Sequence, residues 1–247
     1  MKAISLISGG LDSTLSTKVV SDLGIEVIAL NLTLPFSQRD RASSRRREVE
    51  AVAEQLGVRL IFLDVKKDFL EMFQHPRHGY GSNINPCIDC RILMLKKAKE
   101  VMDAEGASFL ITGEVLGQRP MSQRREAMSL IEKEAGVKGR VLRPLSAKLL
   151  NPTIPEDKGW VDREKLLDIS GRSRKPQMKM AEEGCIKEYP GPAGGCLLTD
   201  PGFSRKAKDL IACHGVSLEN FELLKFGRHF RLSPEAKLVV GKDEKDN

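Results

Sequence analysis

The chain has 247 residues, 40% of them hydrophobic and 30% charged, a composition that supports one sizeable core with appendages and excludes an intrinsically disordered protein. It contains no run of about 18 apolar residues for a membrane span, and its N-terminus enters a strand directly rather than a signal peptide, so the cytoplasm is the expected compartment and no membrane partner is expected. Forty Lys and Arg against 34 Asp and Glu leave a net charge of +6, and the five cysteines are an odd number, which in a cytosolic setting argues against a disulfide framework and for metal or sulfur chemistry.

A strand predicted over 3–7 runs into Ser8, Gly9, Gly10, Leu11, Asp12, Ser13 and Thr14. The adjacent glycines let backbone N–H groups close on an anion at the start of a helix. The hydroxyls of Ser8, Ser13 and Thr14 add donors, and an acid beside an anion site suits Asp12 as a holder of Mg²⁺. No lysine follows the glycines as in the common P-loop, and the pattern resembles the loop of the N-type ATP pyrophosphatases. A plain Gly-Gly turn before a capped helix is the competing reading, but turn and capping preferences do not ask for an acid and two hydroxyls together.

A helix is predicted over 12–23, stopped by Gly24, then a buried strand over 25–32, a helix over 42–56 stopped by Gly57, and a strand over 58–65. This βαβαβ rhythm implies a parallel, doubly wound α/β sheet. Ligands of such sheets bind at the carboxyl ends of the strands, which places an adenine near Ala29 and Asn31. The second helix opens on Arg45, Arg46 and Arg47 in this reading; cations oppose the dipole there unless an anion offsets them, which predicts a phosphate or RNA contact.

Residues 66–86 read as irregular. Cys87 and Cys90, spaced Cys-x-x-Cys, then introduce an amphipathic helix over 92–105, whose N-terminus is expected to lower their thiol pKa. A redox dithiol, half of a zinc site completed by His75 and His78, and part of an iron–sulfur cluster all fit the spacing. A buried strand over 107–112 delivers Gly113 to Gln118 to the nucleotide end of the sheet. A helix over 122–134 and a strand over 139–143 complete five strands.

Pro and polar residues over 151–160 mark a boundary, followed by two short helices over 162–183 with Gly171 between them. Arg172, Arg174 and Lys175 form a basic group there, comparable to Arg124 and Arg125; such clusters suit a polyanion and equally suit a solvated face. The segment 189–196 is too rich in Gly and Pro for helix or central strand, so it forms a tight loop presenting Cys196, either around something bulky such as a metal cluster or as an ordinary surface loop. Cys185 and Cys213 are expected to act as small buried hydrophobes. Helices over 203–213 and 218–226 precede an alternating stretch over 227–240, a hairpin that either docks on the body or continues into a longer domain.

With Ser8 to Ser13, Cys87-x-x-Cys90, Thr112 to Gln118 and Arg143-Pro144-Leu145 in view, residues 1–150 resemble the ATP-binding domain of the tRNA thiouridine synthetases. The Thr112 to Gln118 segment is most similar to the 4-thiouridine branch. The Cys-x-x-Cys with one distant cysteine is similar to the iron–sulfur 2-thiouridine branch. The resemblance implies an ATP pyrophosphatase domain over 1–150, a helical extension over 151–226 carrying the third cysteine, and over 227–247 the start of a small RNA-binding domain cut short. It further implies ATP bound by Ser8, Gly9, Gly10, Leu11, Asp12, Ser13, Thr14, Ala29, Asn31, Gly113 and Gln118, with Mg²⁺ on Asp12. Cys87, Cys90 and Cys196 would hold a [4Fe–4S] cluster, with Asp12, Cys90 and Cys196 catalytic. Arg45, Arg46, Arg47, Arg124, Arg125, Arg172, Arg174 and Lys175 would bind tRNA. The sulfur donor would be inorganic sulfide or a persulfide carrier, since neither an N-terminal RNA-binding module nor a C-terminal sulfur-carrier domain is expected, and a homodimer is compatible with a short basic tRNA enzyme. The reaction implied is adenylation of a uridine carbonyl oxygen, loss of pyrophosphate, then sulfur displacing AMP. An N-type ligase using ammonia and a zinc-stabilised ATP- and RNA-binding protein are the alternatives.

Overall fold

The computed structural model describes residues 1–35, 39–184, 186, 189, 196–213 and 215–242, with backbone alone over 39–45. Its centre is a five-stranded parallel sheet in the order β3-β2-β1-β4-β5, made of β1 (Lys2–Leu6), β2 (Glu26–Thr33), β3 (Arg59–Asp64), β4 (Phe109–Thr112) and β5 (Val141–Leu142). The order reverses at β1, because the chain winds outward through β2 and β3 and then crosses to β4 on the other side. Helices α1 (Leu11–Ser21) and α2 (Arg39–Gln55) cover one face, and α4 (Cys87–Ala104) and α5 (Arg125–Ala135) cover the other.

Alternation along the strands sorts the two cores. Ile4, Leu6, Ile28, Leu30 and Leu110 meet Ile92, Leu95, Ala98 and Met102 of α4 and Ile131 of α5. Ala3, Val27, Phe109, Ile111 and Leu142 face the opposite way, onto Val20 of α1 and onto Val161 and Leu166. Both faces are thus buried, which is why the strands read as nearly continuous apolar runs. After β5 the chain forms a 3₁₀ turn (Ala147–Leu149), a short helix α6 (Ile154–Asp157), opened by a capping box between Thr153 and Glu156, and a second 3₁₀ turn (Arg163–Lys165) before α7 (Lys175–Glu183). Of the two helices expected over 162–183, the first is therefore only that turn.

The segment expected to be irregular after β3 contains a helix, α3 (Lys66–Gln74), burying Phe69, Leu70 and Phe73. Its apolar spacing was helical, and Phe69 stacks on Phe73 at 5.6 Å, but the core that buries both rings comes from the far end of the chain. They pack against α8 (Pro201–Ala212) and α9 (Leu218–Leu223), where Phe221 meets Phe69, Phe73 and Phe203 at ring-centroid distances of 6.5, 5.2 and 5.7 Å. This second core ties the C-terminal helices to the sheet domain. Three further boundaries differ from expectation. Helix α2 starts at Arg39, so Arg45, Arg46 and Arg47 lie in its interior, where the dipole argument no longer applies. Helix α4 starts at Cys87 rather than near Ile92, and α5 at Arg125.

The hairpin forms as β6 (Arg228–Arg231) and β7 (Lys237–Val240), antiparallel with Phe230 opposite Leu238. Gly227 at φ +56 is needed at its base, since a Cβ there would stand 2.4 Å from the Val240 carbonyl oxygen. It docks on α8 by polar contacts: Arg231 and Lys237 both bind Asp209, at 2.8 and 2.7 Å, and the Lys206 ammonium donates to the Leu224, Phe226 and Gly227 carbonyls.

Hydrogen bonding from Arg231 is the main reason the Asp209 carboxyl falls from its ordinary value near 3.8 to about 2, with Lys237 adding to it against the effect of burial. A depressed folded-state pKa means the tether is fully present above about pH 4 and is lost as pH falls through about 2. Amide exchange of Phe230 and Val239 should therefore accelerate between pH 4 and 2 while that of β1 does not, and Asp209→Asn should show fast hairpin exchange already at pH 5.

Candidate active site

The loop between β1 and α1 closes on itself through its own hydroxyls. Ser13 Oγ donates to the Gly10 carbonyl (2.8 Å) and accepts from the Ser8 N–H (3.2 Å), and Thr14 Oγ1 donates to the same carbonyl (3.1 Å). Gly9 holds φ +76 with Val49 Cγ2 only 3.1 Å from where a Cβ would sit, so the turn admits no side chain. Asn31 fastens the entry to the loop by donating from Nδ2 to the Ile7 carbonyl at 2.7 Å. Ala29 is fully buried among Ile7, Val49 and Val52, and Leu11 is fully buried under Ala181 of α7. Both belong to the wall of the site rather than to its open surface.

Across this loop stands the end of β4. A Cβ on Gly113 would lie 2.5 Å from the Ser13 nitrogen and 2.7 Å from the Asp12 carbonyl carbon, so glycine alone permits β4 and α1 to approach. Gln118 then reaches Asp12, its Nε2 donating to Oδ2 at 2.9 Å. The other carboxylate oxygen, Oδ1, is buried without a hydrogen-bond partner among the described residues. A buried carboxyl oxygen without a partner, at the start of the helix that follows the loop, fits a divalent cation.

Glu114, which follows Gly113, is 4% exposed and accepts from Arg143 Nε (3.0 Å) and Thr112 Oγ1 (3.2 Å), with Arg91 Nε at 3.6 Å. Burial works to raise its pKa, but the charges of Arg143 and Arg91 and these hydrogen bonds outweigh it and hold the carboxyl below the usual range. Removing one member of such a buried set costs about 3–5 kcal/mol. The network joins the β4 and β5 ends to the start of α4, and Glu114, inside the Thr112 to Gln118 segment, and Arg91, next to Cys90, were not singled out in the sequence. Gln123, 2% exposed, was missed as well: it accepts the Gly117 N–H on its carbonyl and the Arg119 N–H on Oε1, shaping the turn that carries Gln118.

Cys87, Cys90 and Cys196 are brought together. Cys90 and Cys196 both pack against the α3–α8–α9 core, and the three thiols act on one another electrostatically. The expectation of a lowered thiol pKa is reversed at Cys90, which burial pushes up to about 12, with Cys87, Cys196 and Asp89 adding to the rise and Arg91 opposing it. Low dielectric outweighs the helix terminus. Cys196 is also raised, first by burial and then by Cys87, against a backbone hydrogen bond from Leu198 and the charge of Arg119. A cation beside them would favour the thiolate forms that burial disfavours, yet no three His, Cys, Asp or Glu side chains stand at metal-ligand separation among the described residues. The zinc reading through His78 does not hold, because its ring lies between Asp89 and Glu134, each at 3.1 Å. Residues 190–195 of the Gly- and Pro-rich loop, and Cys185, lie outside the described residues.

Of the basic residues, Arg46 is engaged by Glu50 (3.0 Å) and lies 4.1 Å over the Phe62 ring, while Arg47 is exposed and the Arg45 side chain lies outside the described residues. Arg124 and Arg125 are exposed at the start of α5, and Arg172, Arg174 and Lys175 gather at the start of α7.

Replacing Gly113 by Ala should separate β4 from α1, lowering stability by about 1–3 kcal/mol and weakening ATP binding. Thermal melting and nucleotide titration of Gly113→Ala beside Gly10→Ala, where the added carbon meets only Ser8 Oγ at 3.4 Å, measure the difference; equal effects would mean that the contact does not shape the loop.

Comparison with known proteins gives matches to part of the chain. The tRNA-specific 2-thiouridylase MnmA of Campylobacter jejuni is 32% identical over 117 residues, 46% of this chain and 34% of that protein. A protein of Methanosarcina mazei described as "Probable tRNA sulfurtransferase" is 29% identical over 126 residues, 47% and 29% of the two chains. The 7-cyano-7-deazaguanine synthase of Methanocaldococcus jannaschii is 36% identical over 109 residues, 42% of each. These matches thus span about a third of the length of the curated thiolation relatives. Among solved structures, a 4-thiouridine synthetase–RNA complex with bound ATP aligns at a TM-score of 0.48 with 21% identity, over 75% of this chain and 51% of that one. The model of the family described as Thiamine biosynthesis protein (ThiI) matches residues 1–149, a stretch that holds the phosphate loop, Cys87, Cys90, Gly113, Glu114, Gln118 and Arg143, and the chain belongs to that family.

Proposed function

We propose that the chain is an ATP-dependent sulfurtransferase acting on a uridine of tRNA. The observation that carries this reading is that the turn 113–119 brings Gln118 to Asp12 of the phosphate loop in a chain whose Cys90 and Cys196, far apart in sequence, pack into one core. Membership of the ThiI family and the likeness to thiolation enzymes support it.

In this reading the phosphates of ATP lie against the Ser8–Ser13 loop and the first turn of α1. Asp12, with its unpartnered Oδ1, would hold Mg²⁺, which supplies charge neutralisation on the phosphates. The uridine carbonyl oxygen attacks the α-phosphorus, the bond to the bridging oxygen breaks, and pyrophosphate leaves. Loop N–H groups stabilise the charge that builds on the α-phosphate. Sulfide, or the terminal sulfur of a persulfide on Cys90 or Cys196, then adds to the activated ring carbon. The carbon–oxygen bond breaks and AMP leaves, its phosphate carrying the former carbonyl oxygen. A persulfide route ends with the carrier cysteine joined to a second thiol, so it needs a two-electron reductant, whereas sulfide does not. An iron–sulfur cluster, if present, would sit on Cys87, Cys90 and Cys196 and offer a binding site for sulfide; their present separations do not form a ligand set, and no step here depends on it.

The likeness to 7-cyano-7-deazaguanine synthase favours a second reading, an ATP-dependent ligase that shares the phosphate loop. The thiols separate the two. With ATP, sulfide and unmodified tRNA, Asp12→Asn should lower both AMP release and thiouridine formation by about 10²–10³-fold. Cys90→Ser and Cys196→Ser should abolish thiouridine, read by nucleoside mass spectrometry, while sparing ATP–pyrophosphate exchange. AMP release without any thiouridine in the wild-type protein would discard sulfur transfer in favour of the ligase, and unchanged thiouridine in both cysteine variants would assign free sulfide rather than a cysteine persulfide as the donor. Iron and acid-labile sulfide in anaerobically purified protein, wild type beside Cys196→Ala, decide between a cluster and a metal-free thiol route.

A further inference from the structure

The first turn of α7 holds polar atoms that the site described so far does not use. Gln177 is fully buried, yet neither Oε1 nor Nε2 has a hydrogen-bond partner among the described residues, and Arg174 Nε is in the same condition. Buried amides are normally satisfied, and an exception calls for an explanation such as an absent ligand. Gln177 occupies the third helical position, from which a side chain leans back over the helix N-terminus. A glutamine there usually caps the turn by accepting the backbone N–H of the N-cap residue, and this one does not. Pro176, at the second position, has no N–H to offer. Around the same end stand Arg172, Arg174 and Lys175, and none of these three forms an ion pair among the described residues.

The turn also lies beside the nucleotide loop. The Gly171 N–H donates to the Leu116 carbonyl at 2.7 Å, which anchors the approach to α7 two residues from Gln118, the residue that holds Asp12. Ala181 of α7 packs with Leu11 and Leu15 of α1, while Gly184 approaches Lys18. The body of α7 thus shares a core with the first turns of α1, and the N-terminal end of α7 presents a partial positive charge.

We propose that the first turn of α7, with Arg172, Arg174, Lys175 and Gln177, is a second phosphate-binding site next to the Ser8–Ser13 loop. Gln177 donates from Nε2 to a phosphate oxygen, and the three cations surround it. The phosphate belongs either to the nucleotide, as the diphosphate that leaves, or to the RNA backbone beside the target base. Only this choice of source rests on the function proposed above.

Full-length protein is titrated separately with inorganic pyrophosphate and with unmodified tRNA at fixed salt, without turnover. Gln177→Leu and Arg174→Gln are each expected to weaken one of these ligands, or both, by about tenfold or more. Loss confined to pyrophosphate assigns the nucleotide, loss confined to tRNA assigns the backbone, and loss of both assigns a site through which the two compete. Gln177→Leu should also raise the melting temperature of ligand-free protein, because the buried amide no longer lacks partners. Unchanged affinity for both ligands in both variants overturns the proposal, as does a Gln177→Leu protein that melts lower while Arg174→Gln binds normally. Arg174 lies at the helix start, so its variant keeps the test open if Gln177→Leu does not fold. Sulfur transfer can fail in its own assay while both titrations succeed, so the two readings fall separately.

Discussion

The approach of Gly113 to the backbone of Ser13 leaves no room for a side chain, and much of the site depends on it. A sheet of this kind offers its ligand surface where neighbouring strands diverge, here between β1 and β4. Only a residue without Cβ lets the end of β4 rest on the first turn of α1. That contact puts Glu114 under the loop, within reach of Arg143 and Arg91, and delivers Gln118 to Asp12. The acid is therefore held from one side while its second oxygen stays available.

The thiol group depends on a different part of the chain. Cys87 and Cys90 come from the start of α4, but Cys196 arrives only because Leu198 and Phe203 are buried in the aromatic core built on α3. Asn83 and Ile84 reinforce this by donating to the Thr199 and Leu198 carbonyls at 2.7 and 3.3 Å. The C-terminal helices thus share a core with α3 rather than forming an independent appendage. The same burial that assembles the thiols keeps Cys90 protonated at neutral pH until something cationic arrives beside it, so occupancy of this site and reactivity of its sulfur are physically linked.

Helix α7 extends this logic to the far side of the loop. Its apolar residues hold α1 in place, and its first turn leaves polar atoms unsatisfied next to a nucleotide site. Such atoms lower stability in the ligand-free state, a cost that natural sites retain where binding requires it.

The doubly wound sheet and the phosphate loop were legible in the sequence because both are local. Apolar strands, Gly-terminated helices and the Ser8–Ser13 spacing each act over a few residues, and their order dictates a parallel sheet. Cys87 and Cys90 were placed at a helix N-terminus for the same reason. What tertiary structure alone decided depends on residues far apart in the chain. The α3 helix was hidden because Phe69 and Phe73 find their partners in Phe203 and Phe221. The true position of the arginine triplet followed from where α2 begins. The sign of the Cys90 shift followed from how deeply a distant core covers it, since desolvation is set by every neighbour and not by the helix that carries the thiol.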